Sequence, residues 1–209
     1  MTRDTSDHEG AGNTDDRGAR LQRIDDVLRL VDREVWIITA ADGERRGGLL
    51  ATWVSQSSLD TQTPVLTIAL APNHFTTELV LASGAFAAHL VAEDHIGLAW
   101  PFTLGSGRDR DKLAELDFSP GETGSPRLAN ALAWLDCRVI ARYETGDRIF
   151  FWADIVDGDQ AAAGDPVRVS TMMASADDQQ RAALRADLER DIELQRPLAD
   201  RWRESLRSP

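Results

Sequence analysis

Residues 47–79, GGLLATWVSQSSLDTQTPVLTIALAPNHFTTEL, constrain this chain more than any other stretch. Hydroxyl-bearing and apolar residues interleave at strand spacing through Ala51, Thr52, Trp53, Val54, Ser55, Gln56 and Ser57. Residues 64–70, PVLTIAL, follow as a buried strand. Asn73, His74, Phe75, Thr76, Thr77 and Glu78 then collect hydroxyl and amide groups where a helix is expected to open. Helix N-termini present unpaired backbone N–H groups and favour anions. The segment thus sets an anion seat beside a hydroxyl-lined strand, which suits a phosphorylated planar cofactor better than a metal or a polymer.

The bulk composition removes several alternatives. With 209 residues and 42% apolar content, the chain has material for one packed domain with appendages. Its net charge of −12 repels phosphate polymers and anionic membrane surfaces, so neither nucleic acid nor membrane is an expected partner. No apolar run is long enough to span a bilayer, and the first twenty residues lack the apolar core of a secretory leader. The expected location is the cytoplasm. The lone Cys137 has no internal disulfide partner and cannot build a thiolate metal site; its apolar neighbours predict a buried, inert thiol. The acidic pairs Asp15–Asp16, Asp25–Asp26 and Asp177–Asp178 read as surface or capping charges, and no metal site is expected.

Along the chain, residues 1–19 are polar, Gly-rich and charged, and predict a disordered tail. Leu21, Ile24, Val27, Leu28 and Val31 recur at helical spacing. Residues 34–40 read as a strand, and Asp42-Gly43 as the turn of a hairpin with Arg45 and Arg46 beside it. A helix over residues 76–83 should stop at Gly84; a buried strand follows over 85–91, with His89 read as a satisfied core or interface histidine. Residues 94–102 predict a short helix, 104–112 a Gly-Ser loop, and 112–116 a second short helix. Residues 131–143 and 148–156 predict a second hairpin around Thr145, Gly146 and Asp147. The composition changes near Asp157, and from Ala174 onward the chain is rich in Ala, Leu, Arg, Glu and Asp, with Leu184, Leu188 and Ile192 at helical spacing until Pro197 intervenes. The organisation expected is a tail over 1–19, a domain over 20–158 and a C-terminal helical arm over 159–209 that covers the site mouth or wraps a partner subunit. Short strands with hairpin turns and few helices predict a mainly β fold, an antiparallel barrel with helical decorations.

The ordered succession of several segments resembles the flavin reductase-like FMN-binding split-barrel family. Its carriers are Val35 to Thr39, Gly48 to Asp60, Pro64 to Ala71, Asn73 to Leu79, Ser83-Gly84-Ala85-Phe86-Ala87, Gly124 with Pro126, Leu135 to Val139, and Gly146-Asp147. The resemblance covers roughly residues 21–158 and implies a six-stranded antiparallel split barrel, homodimeric, with FMN at each subunit interface. It implies hydride transfer from NADH or NADPH to flavin, with a monooxygenase or other electron acceptor downstream. Carried onto this chain, Thr52, Trp53, Val54, Ser55 and Ser57 line the flavin ring. Asn73, His74, Phe75, Thr76 and Thr77 match the phosphate and ribityl region, and Ser106, Gly107 and Lys112 supply further phosphate donors. Where many members read Gly-Asp-His, this chain reads Gly146-Asp147-Arg148, which puts Arg148 on the nicotinamide side. The same residue types also have plain structural readings: Thr and Ser facing solvent, Thr76 and Thr77 as helix caps, Trp53 as packing. Two other functions stay open, an electron-relay flavoprotein without nicotinamide and a flavin-free dimeric binding module.

Overall fold

A computed structural model describes residues 11–207, and the chain divides into two compact units, Met1–Arg33 and Glu34–Pro209. The first unit contains helix α1, Ala11–Leu28. It begins ten residues ahead of Leu21, so residues 11–19 are helical and not the disordered tail that their polarity predicts; residues 1–10 lie outside the described residues. The side chains Asp25 and Asp26 pair one turn away with Arg29 (2.7 Å) and Gln22 (2.9 Å), which supports a helix whose apolar residues Leu21, Ile24, Val27 and Leu28 are all exposed.

In the second unit β1 (Trp36–Asp42) and β2 (Arg45–Ala51) form the expected hairpin, with Gly43 at φ 60° in its two-residue turn. Then come β3 (Val54–Gln56), β4 (Val65–Leu70), α2 (Phe75–Ser83) and β5 (Ala85–Leu90). Gly84 ends α2 as anticipated, at φ 68° with its amide on the Val80 carbonyl. A 3-10 turn over Glu93–Leu98 leads into the short α3 (Trp100–Thr103). The small pair β6 (Phe118–Pro120) and β7 (Pro126–Leu128) precedes the long hairpin β8 (Ala133–Glu144) and β9 (Ile149–Asp159). Helices α4 (Val169–Ser175) and α5 (Asp178–Ser205) complete the unit. A reciprocal capping box between Asp177 and Gln180 starts α5, and the helix continues through Pro197, where the sequence predicts an interruption. The arm packs within the same compact unit as the barrel. Among the described residues, no helix is long and apolar enough to cross a membrane.

The sheet order is β2-β1-β5-β8-β9-β4-β3, with every pairing antiparallel. Its two edges, β2 and β3, are joined only by Thr52 and Trp53. Three Cα steps reach at most about 11 Å, whereas six strand spacings in a flat sheet would separate the edges by about 29 Å. The sheet must therefore curl until its edges adjoin. Register shifts at Asp136/Cys137 and Val139/Ala141 put bulges into the β8–β9 pair, which bend it in support of that curl. The hydroxyl-lined strand expected over residues 51–57 is thus broken at the crossing. Counted as one bent strand, β2 and β3 bring the barrel to the expected six.

Alternation sorts the side chains. Ile38, Ala40, Leu66, Ile68, Phe86, Ala88, Phe151 and Ala153 fill the barrel, with Leu79 and Val80 of α2 against them. Cys137 is fully buried in that interior, and burial pushes its thiol up, away from reactivity. The opposite faces carry a second layer in which Ile37, Val91, Phe102, Leu113, Leu128 and Val167 pack together. Strand β1 is covered on both sides, which is why its central residues are apolar apart from Thr39, whose buried hydroxyl donates to the Pro126 carbonyl.

His89 belongs to the core and ties the layers. Its Nδ1 lies 3.1 Å from the Ile37 carbonyl, and the Leu128 amide donates to its Nε2 at 3.1 Å. Those partners require the neutral ring with its proton on Nδ1. Burial lowers its pKa from 6.5 to about 4, against the raising effect of the Ile37 hydrogen bond. The unfolded chain therefore binds the extra proton first as pH falls. Stability contributed by His89 is complete above about pH 6.5 and declines towards pH 4, by up to about 3 kcal/mol. Urea titrations across that range should show the decline, and His89→Asn, which cannot titrate there, should show a shallower one.

Candidate functional site

The loop after β4 turns at Ala71, where the Thr77 hydroxyl donates to the backbone carbonyl at 2.7 Å. This bond folds the loop under α2 and commits Thr77, which is fully buried, to structure. His74 takes the N-cap position of α2 in extended conformation, and its side chain makes no capping bond. The first turn of α2 opens into a cavity of about 620 Å³. Gly48, Leu49 and Leu50 of β2 form one wall, and Asn73 to Thr76 a second. The loop after α3, from Gly105 to Asp109 with Lys112, forms a third; Asp187, Arg190, Asp191 and Leu194 of α5 form the fourth. Close approach explains two glycines. A Cβ on Gly48 would meet the Phe102 ring, and one on Gly107 would come within 2.7 Å of the Phe75 ring.

The cavity mixes strong charges of both signs. Lys112 is 7% exposed, and its Nζ reaches the Phe102 carbonyl at 3.3 Å. Burial lowers its pKa to about 8, with Arg110 adding to the effect and Asp187 opposing it. Arg108 donates to the Asn73 carbonyl at 3.1 Å, pairs with Glu78 and lies over the Phe75 ring. The Ser106 hydroxyl accepts from the Arg108 amide at 3.1 Å, which sets the loop's turn.

A chain of side chains runs from the β8–β9 turn into the cavity. Arg148 stacks on Trp53, 4.8 Å from guanidinium carbon to ring centroid, and donates to Oε1 of Gln195. Gln195 donates to Oδ1 of Asn73 at 3.2 Å, and Asn73 donates to Oδ1 of Asp191 at 3.0 Å. The second oxygen of Asp191 lies 3.1 Å from Nε2 of His74. Every member from Gln195 to His74 is thus held in one orientation by its neighbours. Gly146 supports this docking from outside. It has φ 83°, and a Cβ there would collide with the Leu198 carbonyl of α5.

Of the residues expected to form the site, Asn73, His74, Phe75, Thr76, Ser106 and Lys112 line the cavity together, as does Gly107. Thr52, Trp53, Val54, Ser55 and Ser57 do not line it; they lie on the crossing, on the edge strand β3 and, for Ser57, just after it, with Trp53, Ser55 and Ser57 exposed. The Ser57 hydroxyl is bonded to that of Thr67 on β4. Arg148 is outside the cavity and reaches it through Gln195. Sequence reasoning did not single out Asp187, Arg190, Asp191 or Gln195. Their signal was a stripe at 187, 191, 195 and 198, one helical face, which reads as solvent-facing because most of it is polar. The apolar stripe expected to pack instead has Leu188 and Ile192 exposed.

The family model for the flavin reductase like domain matches residues 28–175. A putative diflavin flavoprotein A 6 of Nostoc sp. is 35% identical over 123 residues, which are 58% of this chain and 21% of that protein. The diflavin flavoprotein A 1 of Synechocystis sp. is 31% identical over 141 residues, 67% of this chain and 24% of that protein. The chain therefore spans about a quarter or less of these relatives' length. Among solved structures, a homologue of nitrilotriacetate monooxygenase component B from Mycobacterium thermoresistibile superposes with TM-score 0.63 at 21% identity, covering 73% of this chain and 83% of that one. An NADH:FAD oxidoreductase of Streptomyces globisporus superposes with TM-score 0.60 at 22% identity, covering 66% and 81%. Both likenesses are of fold, the split barrel. Because the family match runs through the whole barrel as far as the end of α4, this chain belongs to the flavin reductase like domain family.

Proposed function

We propose that the chain is an FMN-binding oxidoreductase that passes hydride from NADH or NADPH to flavin, working in the cytoplasm as a homodimer with flavin at each subunit interface. The observation that carries this reading is the uncapped N-terminus of α2 opening beside the nearly buried Lys112. Leading amides of a helix and a desolvated ammonium are what a flavin phosphate needs in an otherwise acidic protein. The cavity lies within the usual size range for small-molecule sites. A bound flavin would supply the hydride-accepting ring. The chain's task is to hold the phosphate at α2 and Lys112, to keep water from the ring and to orient the nicotinamide against it. Two neighbours in fold are named as an NADH:FAD oxidoreductase and a monooxygenase component, which supports nicotinamide as donor and a monooxygenase or other acceptor downstream. A second copy is supported by exposed apolar residues on β8 (Ile140, Tyr143) and α5 (Leu188, Ile192), and by the exposed Trp53 next to the hydroxyls of β3.

A relay flavoprotein that does not use nicotinamide is the second reading. It is favoured by Arg148, the residue on the expected nicotinamide side, whose guanidinium is engaged by Gln195, Trp53 and the Asp147 carbonyl.

Anaerobic visible spectra distinguish these readings. Flavin bands that bleach on addition of NADH or NADPH are expected; bands that persist would assign the relay role, and a protein that takes up no FMN would leave only a binding module. Lys112→Met should raise the FMN dissociation constant by roughly tenfold or more, the loss of one charge-assisted contact. Lys112 is charged below its pKa of about 8. Wild-type affinity should accordingly weaken as pH rises through 8, while the Met variant should stay flat over the same range. Light scattering should return twice the 23.0 kDa chain mass.

A further inference from the structure

We propose that Asp191, with Asp187 one turn before it, is an internal anion that occupies the phosphate-side donors of the cavity and sets its affinity for flavin, so that α5 is a strap which ligand must displace. This rests on the reading that the cavity takes a phosphorylated flavin. Three observations converge on it. Both oxygens of Asp191 engage the side chains of Asn73 and His74, the two residues leading into the first turn of α2. A carboxylate thus holds donors placed as a phosphate would use them. Asp187 also lines the cavity, where it acts on Lys112 and pairs with Arg190. Finally, α5 starts at Asp178, beyond residue 175 where the family match ends, so these carboxylates reach the cavity from outside the matched domain.

The electrostatics give the direction. A phosphate dianion brought into this cavity with α5 docked meets a wall that carries Asp187 and Asp191 against the single cation Arg190, a net negative charge in a partly desolvated space where like charges repel. Moving α5 outward takes both carboxylates away and frees Asn73 and His74. The helix is lightly held: Leu188 and Ile192 are exposed, only Gln195 and Ala199 are buried, and Leu184, Leu198 and Trp202 are half-buried beside Asp187 and Asp191. The Asp191 and Gln195 hydrogen bonds to Asn73, His74 and Arg148 add polar contacts to that partial apolar cover.

The test uses the full-length chain and FMN itself. Asp191→Asn removes the charge and keeps the shape; it should tighten FMN binding by about tenfold, and the Asp187→Asn/Asp191→Asn double variant by more. Hydrogen–deuterium exchange supplies a readout that needs no flavin: amides of α5 should exchange faster in Asp191→Asn than in wild type, and adding FMN to wild type should speed them too. Equal or weaker FMN binding by the variants, or protection of α5 by FMN, would overturn the strap while leaving the flavin site standing. If neither wild type nor variants bind FMN, the flavin reading falls and this proposal with it. Unchanged α5 exchange in Asp191→Asn would independently remove Asp191 as the latch.

Discussion

The crossing at Thr52 and Trp53 governs this molecule. Two residues cannot bridge the edges of an open seven-stranded sheet, so their shortness forces the curl, and the curl creates an inside. Once closed, the sheet needs hydrocarbon on its inner face and a second cover outside β1 and β5. Both layers follow from the alternation of Ile37 with Ile38 and of His89 with Ala88. The crossing also exposes Trp53, which receives Arg148 on its face and so anchors the polar chain that ends at His74.

Much of the barrel was legible because strand physics is local. Gly84 at a left-handed helix end, Asp42-Gly43 at a two-residue turn and the apolar runs of β1, β4 and β5 each carry their structure in neighbouring residues. The break inside residues 51–57 was not legible, since interleaved hydroxyl and apolar side chains suit either half of a bent strand and only the pairing partners reveal the bend. Pro197 misled for a related reason: proline within a helix forfeits one backbone bond, and twenty-eight residues with a good cap can absorb that loss.

The site was readable at the start of α2 and obscure elsewhere. Asn73 to Thr76 announced themselves as a polar cluster at a helix start, and Lys112 as a cation in a Gly-Ser loop. The wall supplied by α5 was hidden because Asp187, Asp191 and Gln195 look like a solvated face. What covers Asp191 and Gln195 is a complementary polar surface more than a hundred residues earlier in the chain, at Asn73 and His74. Sequence periodicity records where hydrocarbon goes; it is silent about polar faces that meet.

Gly146 turns that meeting into a matter of clearance. The gap between the β8–β9 turn and the α5 backbone is one hydrogen atom wide. Residue 146 is not part of the cavity, yet it rests against the helix whose same face, two and three turns earlier, carries Asp191 and Asp187 to the cavity wall. A methyl group added at that turn would meet the Leu198 carbonyl, so a contact remote from the cavity limits which residue the turn can hold while α5 stays docked.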